Sequence, residues 1–553
     1  MLKTTTTIYG YYDWKTLRRI VRQLRQLRNE KRFDELKIVL QSCVKSNFAG
    51  TENPLLYSHC YYGTKRLIEV YNHEVCSSLQ SIIDTDVISS SEKRTFFKVV
   101  TRNFGKTALA LSGGASFTYL HYGVMKALLE TDLMPKIISG TSGGGLCSAL
   151  AATRTNEELL RLLTPKLAKN INACGDDPWY VWMYRWWRTG ARFDPVDWAR
   201  KAQWWTLGST TFQECYERTG KTLNISTVPH DIHSPTILCN YLTSPNCCIW
   251  STLLASAAVP GILPPVVLME KSAGGSITPF SFGNRFKDGS MRTDIPIEAL
   301  NTHFNVKFSI VSQVNPHVLL WFFKNKGDIG TPLSRRKGSS FRGGFISSYF
   351  ENLIKLEIIK WMKLIREFQL LPNFMQSDWS NVFLQKFSGT ITLFPKISLK
   401  DYRYILCDPT EERLAEMISS GQSVTYPKLL FIRHRLNIER LIEKGRNLTR
   451  DPVSHIFNAN STRSGTPDSI GNTLDSFKMN HRNGRYSIDD SSDEEYDYHR
   501  SDSDEMGFLG MQTKNLKPFY DIAEAGREAD GSDIDELDPL EVSESASEIK
   551  KDQ

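Results

Sequence analysis

Residues 136–152 read KIISGTSGGGLCSALAA, a short apolar run, a glycine-rich turn and a second apolar run. The first run has the length and composition of a buried strand, and residues 146–152 begin a helix. The turn matches G-x-S-x-G, in which glycines allow a strained strand-to-helix turn that exposes a serine hydroxyl. Ser142 is therefore the candidate nucleophile, with a purely structural turn as the alternative. The glycines of this elbow are Gly140, Gly143 and Gly144.

A second glycine-rich loop, SGGAS at residues 112–116, lies about 30 residues upstream of the elbow. It follows an apolar run at residues 107–111 and precedes helical apolar spacing over residues 117–129. Its successive N–H groups are suited to bind an anion. A nucleotide phosphate is the rival ligand, but neither G-x-G-x-x-G nor the Walker A pattern is present. Residues 101–315 thus predict an α/β domain with a parallel sheet and crossover helices.

A serine nucleophile needs a general base, and the sequence offers two kinds. Three downstream histidines, His303, His317 and His434, are candidates, although none is framed by turn glycines. Asp288 ends an apolar segment and is followed by Gly289, which allows a turn at the end of a strand. The aspartate is the better candidate, although an Asp-Gly pair is also common as a plain turn.

Charge divides the 553-residue chain. Residues 1–450 carry 58 basic against 37 acidic residues, a net charge of +21, whereas residues 451–553 carry 10 against 24, a net charge of −14. With 40% apolar residues the chain can bury a core, which excludes a wholly disordered or fibrous protein. We predict a helical N-terminal module (1–100), the α/β domain (101–315), a helical C-terminal extension (316–450) and a disordered acidic tail (451–553).

Three stretches combine apolar and basic residues, namely residues 14–27, 179–205 and 345–370. The second holds seven tryptophans with interleaved arginines. Such composition suits a lipid surface, and it equally suits a packed helix or a cap over a sheet. Both interpretations stay open at this point.

The sequence also predicts several absences. The ten cysteines form no CxxC pair and no Cys/His cluster with zinc-ligand spacing, so we expect reduced thiols in an intracellular protein and no metal site. The first residues lack the apolar run of a signal peptide. No apolar stretch approaches the ~20 residues of a membrane-spanning helix.

Three segments together resemble the patatin-like phospholipase family. They are the loop at residues 111–115, the elbow around Ser142, and the pair Asp288-Gly289; residues 254–261 resemble the family's segment between nucleophile and aspartate. Residues 53–57 and 63–69 look like the N-terminal module of fungal and plant triacylglycerol lipases. The resemblance covers roughly residues 10 to 440.

This resemblance implies a serine–aspartate dyad without histidine, in which Ser142 attacks the ester carbonyl and Asp288 is the base. It further implies that the N–H groups of Gly113, Gly114 and Ala115 hold the oxyanion. The implied protein is a triacylglycerol lipase that needs no cofactor and acts on neutral lipid at a lipid droplet or membrane surface, with a further pool at the endoplasmic reticulum or in the cytoplasm. Nucleic acid is not an expected partner.

The chain departs from the family pattern at four positions, which are Ala115, Phe117, Thr118 and Ser290. Two alternatives within enzymes are a phospholipase and a lysophospholipid acyltransferase on the same dyad, the latter suggested by an H-x-x-x-x-D match at residues 499–504. A third alternative is a non-catalytic lipid-droplet adaptor. Tail serines in basic and acidic contexts predict kinases as partners, against an unmodified tail; they are Ser487, Ser491 and Ser492.

Overall fold

The computed structural model describes residues 12–450 except 59, 61–62, 172, 175–177, 232–233, 273, 322–344 and 369–384. The predicted disordered tail, its candidate phosphorylation sites and the pattern at residues 499–504 lie outside the described residues.

The N-terminal part is helical, as its apolar spacing predicts. Its helices are α1 (Trp14–Asn29), α2 (Phe33–Cys43), α3 (Leu55–Ser58), α4 (Arg66–Asp84) and α5 (Ser90–Phe104). One face of α1 is buried through Leu17 and Leu24. Its Arg25 and Arg28 pair with the buried Glu74 of α4 at 2.6 and 2.8 Å. Since its apolar face and two of its arginines are used in packing, α1 follows the packed-helix interpretation.

The middle of the chain alternates strands and helices. In order these are β1 (Lys106–Leu111), α6 (Leu120–Glu130), β2 (Ile137–Gly140), α7 (Gly143–Thr153), α8 (Asn156–Leu162), α9 (Trp179–Thr189), α10 (Pro195–Trp205), α11 (Phe212–Thr219), β3 (Thr222–Pro229), β4 (Ile237–Cys239), α12 (Ile249–Ser256), β5 (Val266–Val267), β6 (Met269–Lys271), β7 (Ile277–Pro279), β8 (Arg285–Asp288), α13 (Ile297–Phe304) and β9 (Val306–Ser312).

The C-terminal part is mainly helical. Its elements are α14 (Pro316–Trp321), α15 (Phe345–Glu367), β10 (Ile391–Leu393), α16 (Glu411–Thr425) and α17 (Leu429–Leu448). The strand β10 joins the central sheet, which therefore extends past the boundary at residue 315 that the sequence suggested. In α17, the buried Arg435 pairs at 2.6 Å with Glu52, which lies between α2 and α3, and so ties this part to the N-terminal part. Within the described residues, no helix has both the length and the apolarity to cross a bilayer.

The sheet brings the two glycine-rich loops to one edge. Its main order is β10-β9-β1-β2-β3-β8-β5, and the five strands from β10 to β3 pair in parallel. Leu111, at the end of β1, lies opposite Gly140, at the end of β2. Because carboxyl ends of parallel strands share one edge, the loops that follow them meet there. The prediction of an α/β fold with a parallel sheet core and crossover helices is confirmed for these strands.

One side of the sheet is antiparallel, which the sequence did not predict. Strands β4 and β8 both pair with β3 in the antiparallel sense, and β5 pairs with β8 in the same way. Thr227 of β3 lies opposite Asp288 of β8, while Ile225 of β3 lies opposite Gly140 of β2. The register of β3 therefore holds the end of β8 close to the elbow.

Candidate active site

The turn after β2 has the strained geometry of a nucleophile elbow. Ser142 has φ 54° and ψ −127°, a conformation that residues with a side chain rarely adopt, and α7 begins at the next residue. The Ser142 N–H donates to Ser256 Oγ at 2.8 Å. Ser256 in turn donates to the Ser226 carbonyl at 2.8 Å. The end of α12 therefore fixes the elbow against β3.

Two elbow glycines are required because neighbouring backbone lies too close for a side chain. A Cβ on Gly140 would collide with Ser148 Oγ and the Gly144 carbonyl. A Cβ on Gly144 would collide with the carbonyls of Leu111 and Ser112. This close approach of strand, turn and helix explains the glycine spacing of the motif.

Asp288 is completely buried at the end of β8 and shares a cavity with Ser142. Its Oδ1 accepts the Ser290 N–H at 2.8 Å, whereas Oδ2 has no partner of regular hydrogen-bond geometry among the described residues. Burial raises the pKa of Asp288 to about 7, against the smaller lowering effects of Ser290 and the Ser142 hydroxyl. A carboxylate with a free oxygen and a pKa near neutrality is suited to take a proton from the serine.

A second buried carboxylate, Asp294, holds the glycine-rich loop. The Gly113 N–H donates to Asp294 Oδ1 at 2.9 Å, and Asn315 Nδ2 donates to Oδ2 at 2.6 Å. The Thr141 hydroxyl donates to the Asp294 carbonyl at 2.8 Å. Burial raises the pKa of Asp294 to about 7, and the charge on Asp288 acts in the same direction. Asp294 thus connects the loop after β1 to the elbow after β2.

This contact occupies one of the three predicted oxyanion donors. The Gly113 N–H donates to Asp294 in this structure, and while that bond is kept it does not reach an oxyanion. The N–H groups of Gly114 and Ala115 have no acceptor among the described residues, and both residues line the cavity. A third N–H of this kind belongs to Gly143, which follows the nucleophile at the positive end of α7. In G-x-S-x-G enzymes the residue after the nucleophile supplies such a donor, so the motif already contained this signal.

His121 supports the loop from the protein interior. Its Nε2 lies 3.0 Å from the Ser112 carbonyl and its Nδ1 lies 2.8 Å from Ser312 Oγ. Because a carbonyl can only accept, Nε2 carries the proton and Nδ1 accepts from the hydroxyl. Burial lowers the pKa of His121 to about 4, so the ring stays neutral at physiological pH. The side chain positions the loop and is not among the residues that line the cavity.

None of the histidines proposed as a base lies at the site. His434 Nδ1 lies 3.0 Å from the Tyr57 hydroxyl, and His303 Nδ1 lies 3.2 Å from Asn240 Nδ2. No histidine, His317 included, lines the cavity in the part of the chain that the structure describes. Of the candidate bases that the sequence offered, Asp288 is the one that lines the cavity together with the serine.

A cavity of about 300 Å³ opens over the elbow. Its polar wall holds Ser142, Asp288 and residues 113–115, and most of its other walls are apolar, including Leu146, Phe193, Trp198, Trp205, Leu253 and Ile262. Small-molecule sites span roughly 300–1,000 Å³, so this one accommodates a reacting ester with part of an acyl chain. The described residues contain no group of three or more His, Cys, Asp or Glu side chains that could hold a metal ion.

The four departures from the family pattern leave the reacting groups in place. Ala115 has φ 50°, a left-handed conformation that costs a residue with a side chain about 1 kcal/mol, which explains a preference for glycine there. Phe117 is buried edge-on against Tyr402, with ring centroids 5.2 Å apart. Thr118 is buried, and its Oγ1 occupies space that a Cβ on Gly143 would need. Ser290 contributes its backbone N–H to Asp288, a contact that any residue except proline can make.

Replacement of Asp294 should impair catalysis through the loop it holds. In Asp294→Ala the Gly113 N–H loses its acceptor, so we expect kcat/KM to fall roughly 10–100-fold, mainly in kcat, because the neighbouring oxyanion donors lose their alignment. Asp294→Asn keeps an acceptor oxygen for Gly113, and its new NH2 group is satisfied when the Asn315 amide turns its oxygen toward it, so this variant should recover most of the activity. Steady-state kinetics on a soluble ester measure this difference. Equal losses in both variants would contradict a positioning role.

Comparison with known proteins yields two family matches. The family described as patatin-like phospholipase matches residues 109–301, and a domain of unknown function (DUF3336) matches residues 3–102. The first match contains the elbow, the glycine-rich loop and both buried aspartates.

Several curated fungal proteins are similar over most of this chain. A patatin-like phospholipase domain-containing protein of Debaryomyces hansenii is 57% identical over 450 residues, which cover 80% of this chain and 57% of that protein. One of Meyerozyma guilliermondii is 55% identical over 472 residues, which cover 84% and 65%. The chain therefore spans little more than half to two thirds of the length of these relatives. Among solved structures, VipD from Legionella pneumophila aligns over 60% of this chain and 67% of its own, at 13% identity and a TM-score of 0.29.

Proposed function

The chain carries a patatin-like phospholipase domain, and from this premise we propose that it is a serine acyl hydrolase that cleaves triacylglycerol at the surface of lipid droplets. The observation that carries the proposal is the buried Asp288, which has a free carboxylate oxygen and lies with Ser142 in an apolar cavity.

In the first half of the reaction, Ser142 Oγ attacks the ester carbonyl carbon while Asp288 accepts the hydroxyl proton. The negative charge that develops on the carbonyl oxygen is held by the N–H groups of Gly114, Ala115 and Gly143, aided by the positive end of α7. The tetrahedral intermediate then expels the glycerol oxygen, and Asp288 returns the proton to it. The products are an acyl-serine and a free alcohol.

In the second half, a water molecule attacks the acyl-serine and gives its proton to Asp288. Collapse of this second intermediate releases the fatty acid, and the proton returns from Asp288 to Ser142 Oγ. An alcohol in place of the water would give acyl transfer instead. The same dyad thus supports a transferase, which is why the products have to be analysed as well as the rate.

The scarcity of basic side chains in the cavity wall favours a neutral lipid as the substrate, rather than a phospholipid. In the described part of its wall, Lys201 is the only Lys or Arg side chain, and Lys201 pairs with Asp197 at 2.8 Å. A phosphate group would therefore find no unpaired cation there. The N-terminal resemblance to fungal and plant triacylglycerol lipases points the same way. The family description, patatin-like phospholipase, favours phospholipid as the second candidate.

A substrate panel tests the proposal. We expect the purified chain to release fatty acid and diacylglycerol from emulsified triacylglycerol faster than fatty acid from phosphatidylcholine, with Ser142→Ala as the control for background hydrolysis. Release from phosphatidylcholine alone would assign a phospholipase. Acylation of added lysophospholipid at the expense of fatty acid would assign a transferase.

A further inference from the structure

The tryptophan-rich segment divides into a buried part and an exposed part. In α10, Trp198 and Trp205 line the cavity, as a cap over the sheet would. In α9, by contrast, no residue is buried. The cap interpretation therefore fits α10, and the exposed helix α9 requires its own explanation.

The exposed residues of α9 form one continuous face. At 100° per residue, a single arc of the helix holds six large side chains, all exposed: Trp179, Tyr180, Met183, Tyr184, Trp186 and Trp187. The opposite side holds the half-buried Val181, Trp182 and Arg185 and faces the protein. Trp179 and Trp187 are 66% and 79% exposed. Aromatic residues concentrated on one helical face are typical of helices that lie in a lipid interface.

The inner side of α9 contacts the residues that directly follow the helix. Arg185 Nη1 donates to the Arg192 carbonyl at 3.0 Å, and the Arg192 guanidinium lies 5.0 Å from the centroid of the Trp182 ring. The exposed face contributes to neither contact. Side chains on that face can therefore be replaced without loss of packing.

The segment that holds α9 begins and ends at the wall of the cavity. Cys174, before the helix, and Phe193, after it, both line the cavity. The Cys174 N–H donates to Asp408, and the Phe193 N–H donates to the Ile262 carbonyl at 3.1 Å. The exposed aromatic face is thus carried by a chain segment whose two ends are both anchored at the cavity wall. Since the cavity holds only part of a long-chain lipid, the remainder has to stay in a lipid phase next to it.

Charge identifies the kind of surface. The helix carries Arg185 and Arg188 and no acidic residue, and Arg188 is exposed beside the aromatic arc. Asp176 and Asp177 precede it in the sequence and lie outside the described residues. A cation at the edge of an aromatic face, such as Arg188, complements the phosphates of lipid headgroups.

We propose that the exposed face of α9 is the element that docks the protein onto a phospholipid-covered lipid surface, with its aromatic side chains at headgroup level beside the cavity mouth. This inference rests on the proposed function, because an acyl hydrolase for water-insoluble lipid needs its cavity to open at such a surface. It adds to that function the chemistry of the surface and the residues that contact it.

Vesicle binding tests the proposal without requiring catalysis. The full chain carrying Ser142→Ala is floated with vesicles of phosphatidylcholine and phosphatidylserine, so that no lipid is cleaved. The partition coefficient is obtained from the fraction of protein that floats with the vesicles. The further changes Trp179→Ser and Trp187→Ser should lower this coefficient by about tenfold or more, because two large exposed aromatics no longer enter the interface. Raising the salt concentration should weaken binding of the parent chain.

Trp361→Ser is the control outside the proposed face, since Trp361 on α15 is also an exposed tryptophan, at 57%; this variant is compared with the single change Trp187→Ser. Its partition should stay within about twofold of the parent, because one aromatic outside the proposed face is lost. An unchanged partition coefficient in the α9 variant would overturn the proposal, and so would an equal loss in the control. A parent chain that is a dimer, with an α9 variant that is a monomer, would also overturn it, because the exposed face would then be a contact between two copies. Binding through α9 by a chain that hydrolyses no ester would contradict the proposed function and leave the docking face standing.

Discussion

Ser142→Ala should lower ester hydrolysis by at least about 10⁴-fold while the protein remains folded. The substitution removes only the hydroxyl group, and the oxygen of this group forms the bond to the acyl group in the acyl-enzyme. The backbone at the elbow keeps its N–H bond to Ser256 and its strained φ, because neither depends on the side chain. Initial rates on a soluble ester, with circular dichroism as the check on folding, measure the effect.

A covalent probe sharpens this expectation. A fluorophosphonate should label the wild-type chain on Ser142 and leave Ser142→Ala unlabelled, because the probe reacts with an activated serine hydroxyl. Activity that persists in the variant would exclude Ser142 as the nucleophile. A folded wild-type chain that neither reacts with the probe nor hydrolyses esters would favour the non-catalytic adaptor instead.

The elbow and the strands around it could be predicted from sequence because their signals are local. An apolar run, a G-x-S-x-G turn and a helical apolar pattern follow one another within residues 136–152, and the structure has β2, the strained Ser142 and α7 in that order. The glycines also indicated close contacts, because only glycine fits where Gly140 and Gly144 lie against neighbouring backbone. Local patterns of this kind can be recognised in a single sequence, without an alignment.

The use of the Gly113 N–H could not be predicted in this way. Its acceptor, Asp294, lies 181 residues downstream, and no spacing rule connects two such positions. A second aspartate directly before the apolar residues 295–297 was the available hint, because carboxylates are rarely buried without a partner. The antiparallel pairing of β8 is a long-range fact of the same kind, although it brings Asp288 to the elbow.

The sequence also could not predict that the tryptophan-rich segment has one exposed helix, α9, and one helix at the cavity, α10. Trp187 and Trp205 are both flanked by arginines or other aromatics, yet one is exposed and the other lines the cavity. The two helices have similar compositions, rich in tryptophan and arginine. Only their position relative to the cavity distinguishes the helix that caps it from the helix with an exposed aromatic face. Placement of a helix on a domain depends on tertiary packing, which composition does not report.

Asp288→Asn should reduce kcat/KM by about 10⁴-fold at neutral pH, because an amide cannot accept the serine proton. In the wild type, the same residue should govern the acidic side of the pH profile. Burial raises the pKa of Asp288 to about 7, so the base is protonated below that pH, and kcat/KM should fall about tenfold per pH unit. His303→Gln is the matched control, and its rate should stay within about twofold of wild type, since this ring lies against Asn240 and not at the cavity.

Stability against pH separates lost chemistry from lost folding. The folded-state pKa of Asp288 lies above the ordinary value of 3.8, so between these two pH values the folded chain keeps a proton that the unfolded chain has released. The contribution of this group to stability therefore falls as pH rises through that window. Asparagine does not titrate, so Asp288→Asn should have a Tm at pH 8 at least as high as that of the wild type. An inactive variant that is also less stable at pH 8 would attribute the loss to packing, whereas an active one would show that another group takes the serine proton.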